Sequence, residues 1–228
     1  MDLLLFDIDG TLLRGGGVGR RAMEAALSDE VGGSSSLAHV PFHGNTDPAI
    51  VAAGLVALGI EPTATRIASV LTRYLAITRA WLAEHNPFVA LAGAVELVRA
   101  LERKNAALGL GTGNIEDAAW LKVEAIGLAG AFRFGGFGSD HPERGELLRV
   151  GWHRGAALFA VHPERCRVLV IGDTLKDIAA ARHIGAEVLA VATGGDSRES
   201  LAAERPDHLA GSLAEPGVLA FIERWLGR

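Results

Sequence analysis

Three short apolar runs in this chain each end in a polar turn that carries glycine. Residues 3–6 lead into Asp7-Ile8-Asp9-Gly10-Thr11, residues 106–110 into Gly111-Thr112-Gly113-Asn114, and residues 168–171 into Gly172-Asp173-Thr174-Leu175-Lys176-Asp177. Unbroken apolar runs of this length suit central strands of a parallel sheet, which helices cover on both faces. The second and third turns open into helical spacing. Ala118, Leu121, Val123 and Ile126 recur after Asn114, and Ile178, Ala181 and Ile184 recur after Asp177, with Gly185 as a stop. Residues 187–192 read as a further strand. The pattern predicts a Rossmann-like α/β/α core of three layers with a mostly parallel sheet. Parallel strands place their carboxyl ends on one edge, so the three turns should converge where open α/β sheets bind ligands.

The first and second runs stand roughly 100 residues apart, whereas an ordinary crossover needs about a dozen or more. Something is inserted. Gly15-Gly16-Gly17 and Asn86-Pro87 mark its ends, and helical patterns cover 19–31, 47–58 and 64–84, with only weak strand signals between them. The expected division is a core of 1–14 plus 87–228 and a small all-α cap subdomain of 15–86 over the active edge. Within the cap, residues 32–36 read as a loop. Ala92-Gly93 opens the first core helix after the insertion, with Val95, Leu97, Val98 and Leu101 on its buried side.

Composition narrows the class. With 49% hydrophobic and 21% charged residues, the 228-residue chain is of soluble globular type. Net charge is -5 and no Lys/Arg cluster stands out, which argues against a nucleic-acid partner. Cys166 is the single cysteine, so a disulfide framework or thiolate metal site cannot form within one chain. No run approaches 18 apolar residues, so no membrane span is expected. The N-terminal apolar run is short and follows an acid rather than a base, unlike a secretory signal. A cytoplasmic address is the default expectation.

Asp7 and Asp9 are two acids at a strand end. Taken alone they could be a polar strand terminus, with Asp9 in a turn before Gly10. Asp173 supplies a second strand-end acid and Asp177 another one helical turn on. If Thr174 caps that helix, both face the same edge. Four carboxylates converging on one cleft repel each other, and a hard dication relieves that. Mg²⁺ prefers a few carboxylates plus waters and substrate phosphate. Thr112, Gly113 and Asn114 end the second run. Asn114 could simply cap a helix, but the Thr112 hydroxyl and nearby N–H groups also suit phosphate oxygens at a helix start. A cation is then needed. Arg144 in His141-Pro142-Glu143-Arg144-Gly145 is favoured over Lys122, Arg149 and Lys176. Gly17-Val18-Gly19-Arg20-Arg21-Ala22 spells a dinucleotide fingerprint, but it does not directly follow a strand and lacks the downstream acid, so we set it aside. Of eight histidines, only His43, beside Gly44-Asn45-Thr46-Asp47, is a candidate for substrate contact.

On these motifs the chain resembles the haloacid dehalogenase superfamily, in its phosphatase branch, near phosphoglycolate phosphatase-like members. Asp7-Ile8-Asp9-Gly10-Thr11-Leu12 matches the first motif, Thr112 the second, and Gly172-Asp173 through Asp177 the fourth. The third motif usually offers a lysine; here Arg144 takes that position. Leu175 replaces a proline common in the fourth. The insertion resembles a helical cap placed after the first motif, and Gly44-Asn45-Thr46-Asp47 resembles a cap loop that touches substrate, which brings in Thr46 and Asp47.

The resemblance implies a Mg²⁺-dependent phosphatase of small phosphate monoesters, with phosphoglycolate as one candidate. Asp7 would be the nucleophile that forms an aspartyl-phosphate. Asp9 would protonate the leaving alkoxide and later deprotonate water. Mg²⁺ would bind Asp7, the Asp9 backbone carbonyl, Asp173 and Asp177, while Thr112 and Arg144 hold the phosphoryl oxygens. The partner would be a small phosphorylated metabolite, and the protein a monomer or homodimer. A dehalogenase or phosphonate hydrolase is disfavoured because Asp9 is present. A phosphosugar mutase keeps both acids and is the main alternative, with a non-catalytic phosphometabolite-binding member behind it.

Overall fold

The computed structural model describes residues 1–227. Along the chain run β1 (Asp2–Phe6), β2 (Leu13–Arg14), α1 (Val18–Val31), α2 (Asp47–Ala57), α3 (Ala64–Glu84), β3 (Val89–Ala90), α4 (Ala94–Arg103), β4 (Ala107–Thr112) and α5 (Glu116–Ala125). They are followed by β5 (Phe134–Phe137), α6 (Arg144–Leu158), a single 3₁₀ turn (Pro163–Arg165), β6 (Arg167–Gly172), α7 (Leu175–His183), β7 (Glu187–Val191), α8 (Arg198–Ala203), β8 (His208–Ala210) and α9 (Pro216–Leu226).

Six strands form one sheet in the order β5-β4-β1-β6-β7-β8, every pair parallel. Side-chain alternation along β1 feeds two cores. Leu4 and Phe6 join Val98, Leu101, Val123, Ile222 and Trp225 from α4, α5 and α9. Leu3 and Leu5 join Leu147, Leu148, Ile178 and Leu201 from α6, α7 and α8. This is the three-layer, Rossmann-like α/β arrangement that the apolar runs predict. β4 and β5 lie on one side of β1 and β6, β7 and β8 on the other. The end of β1 is therefore the point where strand order reverses, the usual ligand position in such sheets.

Two strands of this sheet, like the two-residue β2 and β3, carry no strand signal in the sequence. β5 reads Phe-Gly-Gly-Phe, and its glycines reflect close packing rather than strand propensity. A Cβ at Gly136 would run into the Leu147 carbonyl of α6. β8 spans only three residues, too few for a period to show.

β2 and β3 pair antiparallel, Leu13 with Ala90 and Arg14 with Val89, so the chain leaves and re-enters side by side. Between them α1, α2 and α3 form a cluster of their own around Met23, Leu27, Val51, Leu55, Val70 and Tyr74, with Ala118 of α5 touching it from below. The three helices match the expected spans to within one residue. Thr46 and Thr63 cap α2 and α3 through Ala49 N–H and Arg66 N–H, which fixes where each helix begins. In α4, Leu97, Val98 and Leu101 are buried, while Val95 is only partly so. Among the described residues, no helix is long and apolar enough to cross a membrane.

Candidate active site

The strand hydrogen bonding of β1 continues one residue beyond it, where Asp7 N–H donates to Ile171 O at 2.9 Å. The chain then turns back sharply. Thr11 and Leu12 N–H both donate to Ile8 O, and Gly10 sits at φ 89°. Gly10 is required twice over. Its φ favours glycine, and a Cβ there would press on the Asp173 carboxylate. The turn also delivers Thr11, whose hydroxyl donates to Asp173 Oδ1 at 2.8 Å.

Asp173 follows β6 directly, and Asp177 lies in the first turn of α7. Thr174 and Asp177 form a capping box: the Thr174 side chain accepts from Asp177 N–H, while Asp177 Oδ2 accepts from Thr174 N–H at 2.9 Å. That cap turns Asp177 toward the sheet edge. One carboxylate oxygen each from Asp7, Asp173 and Asp177 then lies within 4.8 Å of the others, and all three residues are buried. Arg144, the first residue of α6, reaches the same point. Its Nη2 is 3.0 Å from Asp7 Oδ1 and 2.6 Å from Asp177 Oδ1, and its Nε–H donates to Asp177 Oδ1 at 2.7 Å.

Three buried carboxylates face one guanidinium, so negative charge is left uncompensated. Asp173 shows it most. Burial, followed by repulsion from Asp177 and Asp7, raises its pKa to about 8. Burial also raises Asp7, to about 6, with Arg144 pulling the other way and Asp177 and Asp9 adding to the rise. An all-oxygen, charge-excess donor set of this kind fits a hard dication such as Mg²⁺.

Asp9 stands apart from the other acids. Its Oδ2 accepts from Lys122 Nζ at 2.7 Å and from Asn114 Nδ2 at 2.8 Å. Lys122 also donates to Asn114 Oδ1 at 2.6 Å, and Asn114 Nδ2 donates to the Thr112 hydroxyl at 2.8 Å. The side chain of Asp9 is 49% accessible, against 5% for Lys122. Desolvation in the cleft pushes the Asp9 carboxyl up, but the charge and hydrogen bond of Lys122, with help from Asn114, outweigh it and hold Asp9 below the usual carboxylate range. The four-carboxylate grouping expected from the sequence is thus a group of three with a fourth turned to its own cation. Strand pairing ends at Asp7, so Asp9 already belongs to the turn, where Lys122 can draw it away.

Lys122 was weighed in the sequence only as a substitute for Arg144. A signal for its own place was present. It falls on the buried stripe of α5, four residues after Ala118 and four before Ile126, where an apolar side chain is expected. Side chains on a helix lean toward its N-terminus, so a lysine in the second turn of α5 reaches back into the cleft. Asn114 is not the cap of α5; Ile115 holds that position, and the Asn114 side chain serves the network instead. Lys176 and Arg149 are occupied elsewhere, with Asn45 and Glu146 respectively. Among the candidate cations, Arg144 is the one that meets Asp7.

These groups open into a cavity of about 290 Å³ between the sheet edge and the helical excursion. Asp7, Asp9, Thr112, Gly113 and Arg144 line its floor, and Arg20, Met23, Phe42, Ile50 and Tyr74 line the opposite wall. The stretch from Gly17 to Arg20, set aside as a dinucleotide fingerprint, is part of that wall. His43 also lines the cavity and packs over Gly195, where a Cβ would come within 2.8 Å of its ring. Asp47 lines it too, but is tied to the core: its carboxylate accepts from Ile115 N–H at 2.9 Å and its own N–H donates to Gly113 O at 2.8 Å. Burial raises the Asp47 pKa to about 6, against the pull of Lys122 and the Ile115 N–H. Thr46 does not face this cavity; it caps α2 and donates to Pro142 O at 3.4 Å.

A family model described as haloacid dehalogenase-like hydrolase matches residues 1–185. No curated protein matches the chain in sequence. Among solved structures, CbbY from Rhodobacter sphaeroides in complex with phosphate is 22% identical, with a TM-score of 0.74 over 97% of this chain and 98% of that one. A protein assigned as a phosphoglycolate phosphatase from Haemophilus somnus 129PT is 20% identical, with a TM-score of 0.69 over 93% and 95%. A protein assigned as a β-phosphoglucomutase from Thermotoga maritima is 18% identical, with a TM-score of 0.62 over 98% and 99%. At these identities the likeness concerns the fold.

Proposed function

The chain belongs to the haloacid dehalogenase-like hydrolases, and from that membership we propose that it is a Mg²⁺-dependent phosphatase of small phosphate monoesters. One observation carries this reading. The two acids that follow β1 occupy opposite environments: Asp7 lies among Arg144, Asp173 and Asp177, and Asp9 lies against Lys122 and Asn114. Paired carboxylates whose surroundings differ in this way are suited to different chemical roles.

Asp7 Oδ attacks phosphorus and the ester P–O bond breaks, leaving an aspartyl-phosphate. Asp9, ionised beside Lys122 in the free protein, takes up a proton that enters with the monoanionic ester and gives it to the departing alkoxide, so the alcohol leaves neutral. Asp9 then takes a proton from water as that water attacks phosphorus, which releases phosphate and restores the Asp7 carboxylate. Thr112, the N–H groups of Gly113 and Asn114, and Arg144 hold the phosphoryl oxygens. Asp7, Asp173 and Asp177, with the Asp9 backbone carbonyl, would hold Mg²⁺. When bound, the ion supplies the positive charge that three carboxylates and a phosphoryl group need in order to share one site.

In this reading 1–14 and 87–228 form the catalytic core, and 15–86 is a cap that excludes bulk water during the reaction and parts to release product. The test is turnover of p-nitrophenyl phosphate with Mg²⁺, followed by Asp7→Asn. Mg²⁺-dependent turnover in the parent, and its loss in a folded variant, is the expected result; wild-type-like turnover in Asp7→Asn overturns the nucleophile assignment. Glucose 1-phosphate separates the mutase alternative: free phosphate marks a phosphatase, and glucose 6-phosphate marks a mutase.

A further inference from the structure

Resting on the phosphatase reading above, we propose that the ester handled here carries a second anionic group on a short leaving group, and that Arg20 receives it. The charged groups of the cavity divide unevenly. Arg144 is paired with Asp7 and Asp177, and Lys122 with Asp9. Arg20 lines the same cavity, yet among the described residues it has no carboxylate partner; its protein acceptors are two carbonyls, Leu37 O and Val40 O. No acidic residue stands in the first turn of α1 to compensate it.

Arg20 is also held in place. Its guanidinium carbon lies 4.1 Å from the centroid of the Phe42 ring, and the two carbonyls fix the plane of the fork. A guanidinium has five N–H donors, so three are free to serve a ligand. A guanidinium already ordered by stacking loses little further freedom on binding an oxyanion. The wall around it is largely apolar, with Val18, Met23, Ile50 and Phe88, which strengthens a charge–charge contact relative to water.

Size and direction follow from the cavity. About 290 Å³ is at the small end of small-molecule sites, which run from roughly 300 to 1,000 Å³. The phosphoryl end is assigned to the floor at Asp7 and Thr112, so the leaving group extends toward the wall that carries Arg20. A neutral alkyl end would leave that charge partly desolvated and unpaired, which is how a polar site rejects an analogue lacking the matching group. A carboxylate and a phosphate both satisfy a guanidinium fork.

Three two-carbon esters test the proposal: ethyl phosphate, phosphoglycolate and ethanediol bisphosphate. They are measured by steady-state kinetics with the Mg²⁺-loaded protein, and by calorimetric binding to Asp7→Asn, which needs no turnover. Wild type should prefer one of the two anionic esters over ethyl phosphate; which one identifies the anion as carboxylate or phosphate. Arg20→Met should reduce that preference, as a ratio of kcat/KM values and of binding constants, by about 10–100-fold, the scale of a hydrogen bond to a charged group. Arg20→Gln, which keeps an amide donor but loses the charge, should reduce it similarly, and the ratio to ethyl phosphate guards against a loosened cap, which would slow all three esters alike. Equal handling of all three esters by wild type, or an unchanged ratio in both variants, overturns the anion subsite and leaves the phosphatase reading standing. Selective anion binding without any ester hydrolysis overturns the phosphatase reading and leaves the subsite standing.

Discussion

Lys122 Nζ lies 2.7 Å from Asp9 Oδ2, and the lysine is almost completely buried while the aspartate faces the cleft. The cation therefore orients one oxygen of Asp9 from behind. Replacing Lys122 with methionine removes that support and leaves Asn114 Oδ1 without its donor. We expect kcat to fall about 10–100-fold, the usual scale for a supporting residue, with KM changed less than kcat. Urea unfolding should report a loss of about 1–3 kcal/mol for the orphaned acceptor. Turnover within twofold of the parent removes Lys122 from the machinery.

Asp9→Asn should lower kcat for an alkyl phosphate by about 10²–10⁴-fold, the range of general acid–base catalysis. The first chemical step with p-nitrophenyl phosphate should suffer less, because p-nitrophenolate leaves without a proton. Rapid-mixing measurements of p-nitrophenolate release would show this as a burst that precedes slow turnover. A loss under tenfold for the alkyl ester would falsify the role of Asp9 as the acid.

Stability without metal should fall as pH rises. Asp7 and Asp173 have folded pKa values of about 6 and about 8, whereas an unfolded aspartate titrates near ~3.9. Above pH ~4 the unfolded chain releases protons that the folded chain still holds, so these groups lower unfolding free energy until pH passes their folded values. Melting in EDTA should drop on the order of 5–10 °C between pH 5 and pH 8. Mg²⁺ should restore more at pH 8 than at pH 5, since its ligands must be deprotonated. Asp173→Asn should flatten the EDTA profile and abolish the Mg²⁺ shift. An EDTA profile equally steep in that variant would locate the effect elsewhere.

Asp47 braces the Gly113–Ile115 turn from the helical excursion, accepting from Ile115 N–H and donating its own N–H to Gly113 O. Asp47→Ala keeps the second contact and loses the first. We expect weaker inhibition by inorganic phosphate, by about 3–10-fold for a hydrogen bond of ordinary worth, because the N–H groups of that turn no longer hold their alignment. Asp47→Asn retains an acceptor oxygen and should recover most of the affinity. Equal phosphate affinity in parent and alanine variant would show that the brace does not reach the phosphate turn.

Much of the core was legible because burial on both faces leaves an unmistakable mark. Residues 3–6, 106–110 and 168–171 are apolar without alternation, and they became β1, β4 and β6 with shifts of one or two residues at their ends. Thr174 and Asp177 were readable as a helix start because a capping box is a local motif. The site was legible only as far as residue types and strand ends go. Asp173 and Asp177 follow from position, but the turning of Asp9 toward Lys122 depends on a residue more than a hundred positions away, brought close by the crossover from β4 into α5. Thr46 resembled a ligand contact and turned out to face Pro142, since only packing decides which side of the junction loop its hydroxyl takes.

The amino-acid order alone determined that parallel strands would carry acids to one edge, and that a helical excursion would leave after the first of them. Those are consequences of local periodicity and of chain direction, which need no knowledge of distant neighbours. Only the tertiary structure decided how the charges pair: Arg144 with Asp7 and Asp177, Lys122 with Asp9, and Arg20 with no acid among the described residues. Ion pairing acts over a few ångströms of space and is indifferent to separation along the chain, so it is settled when the layers pack and not before.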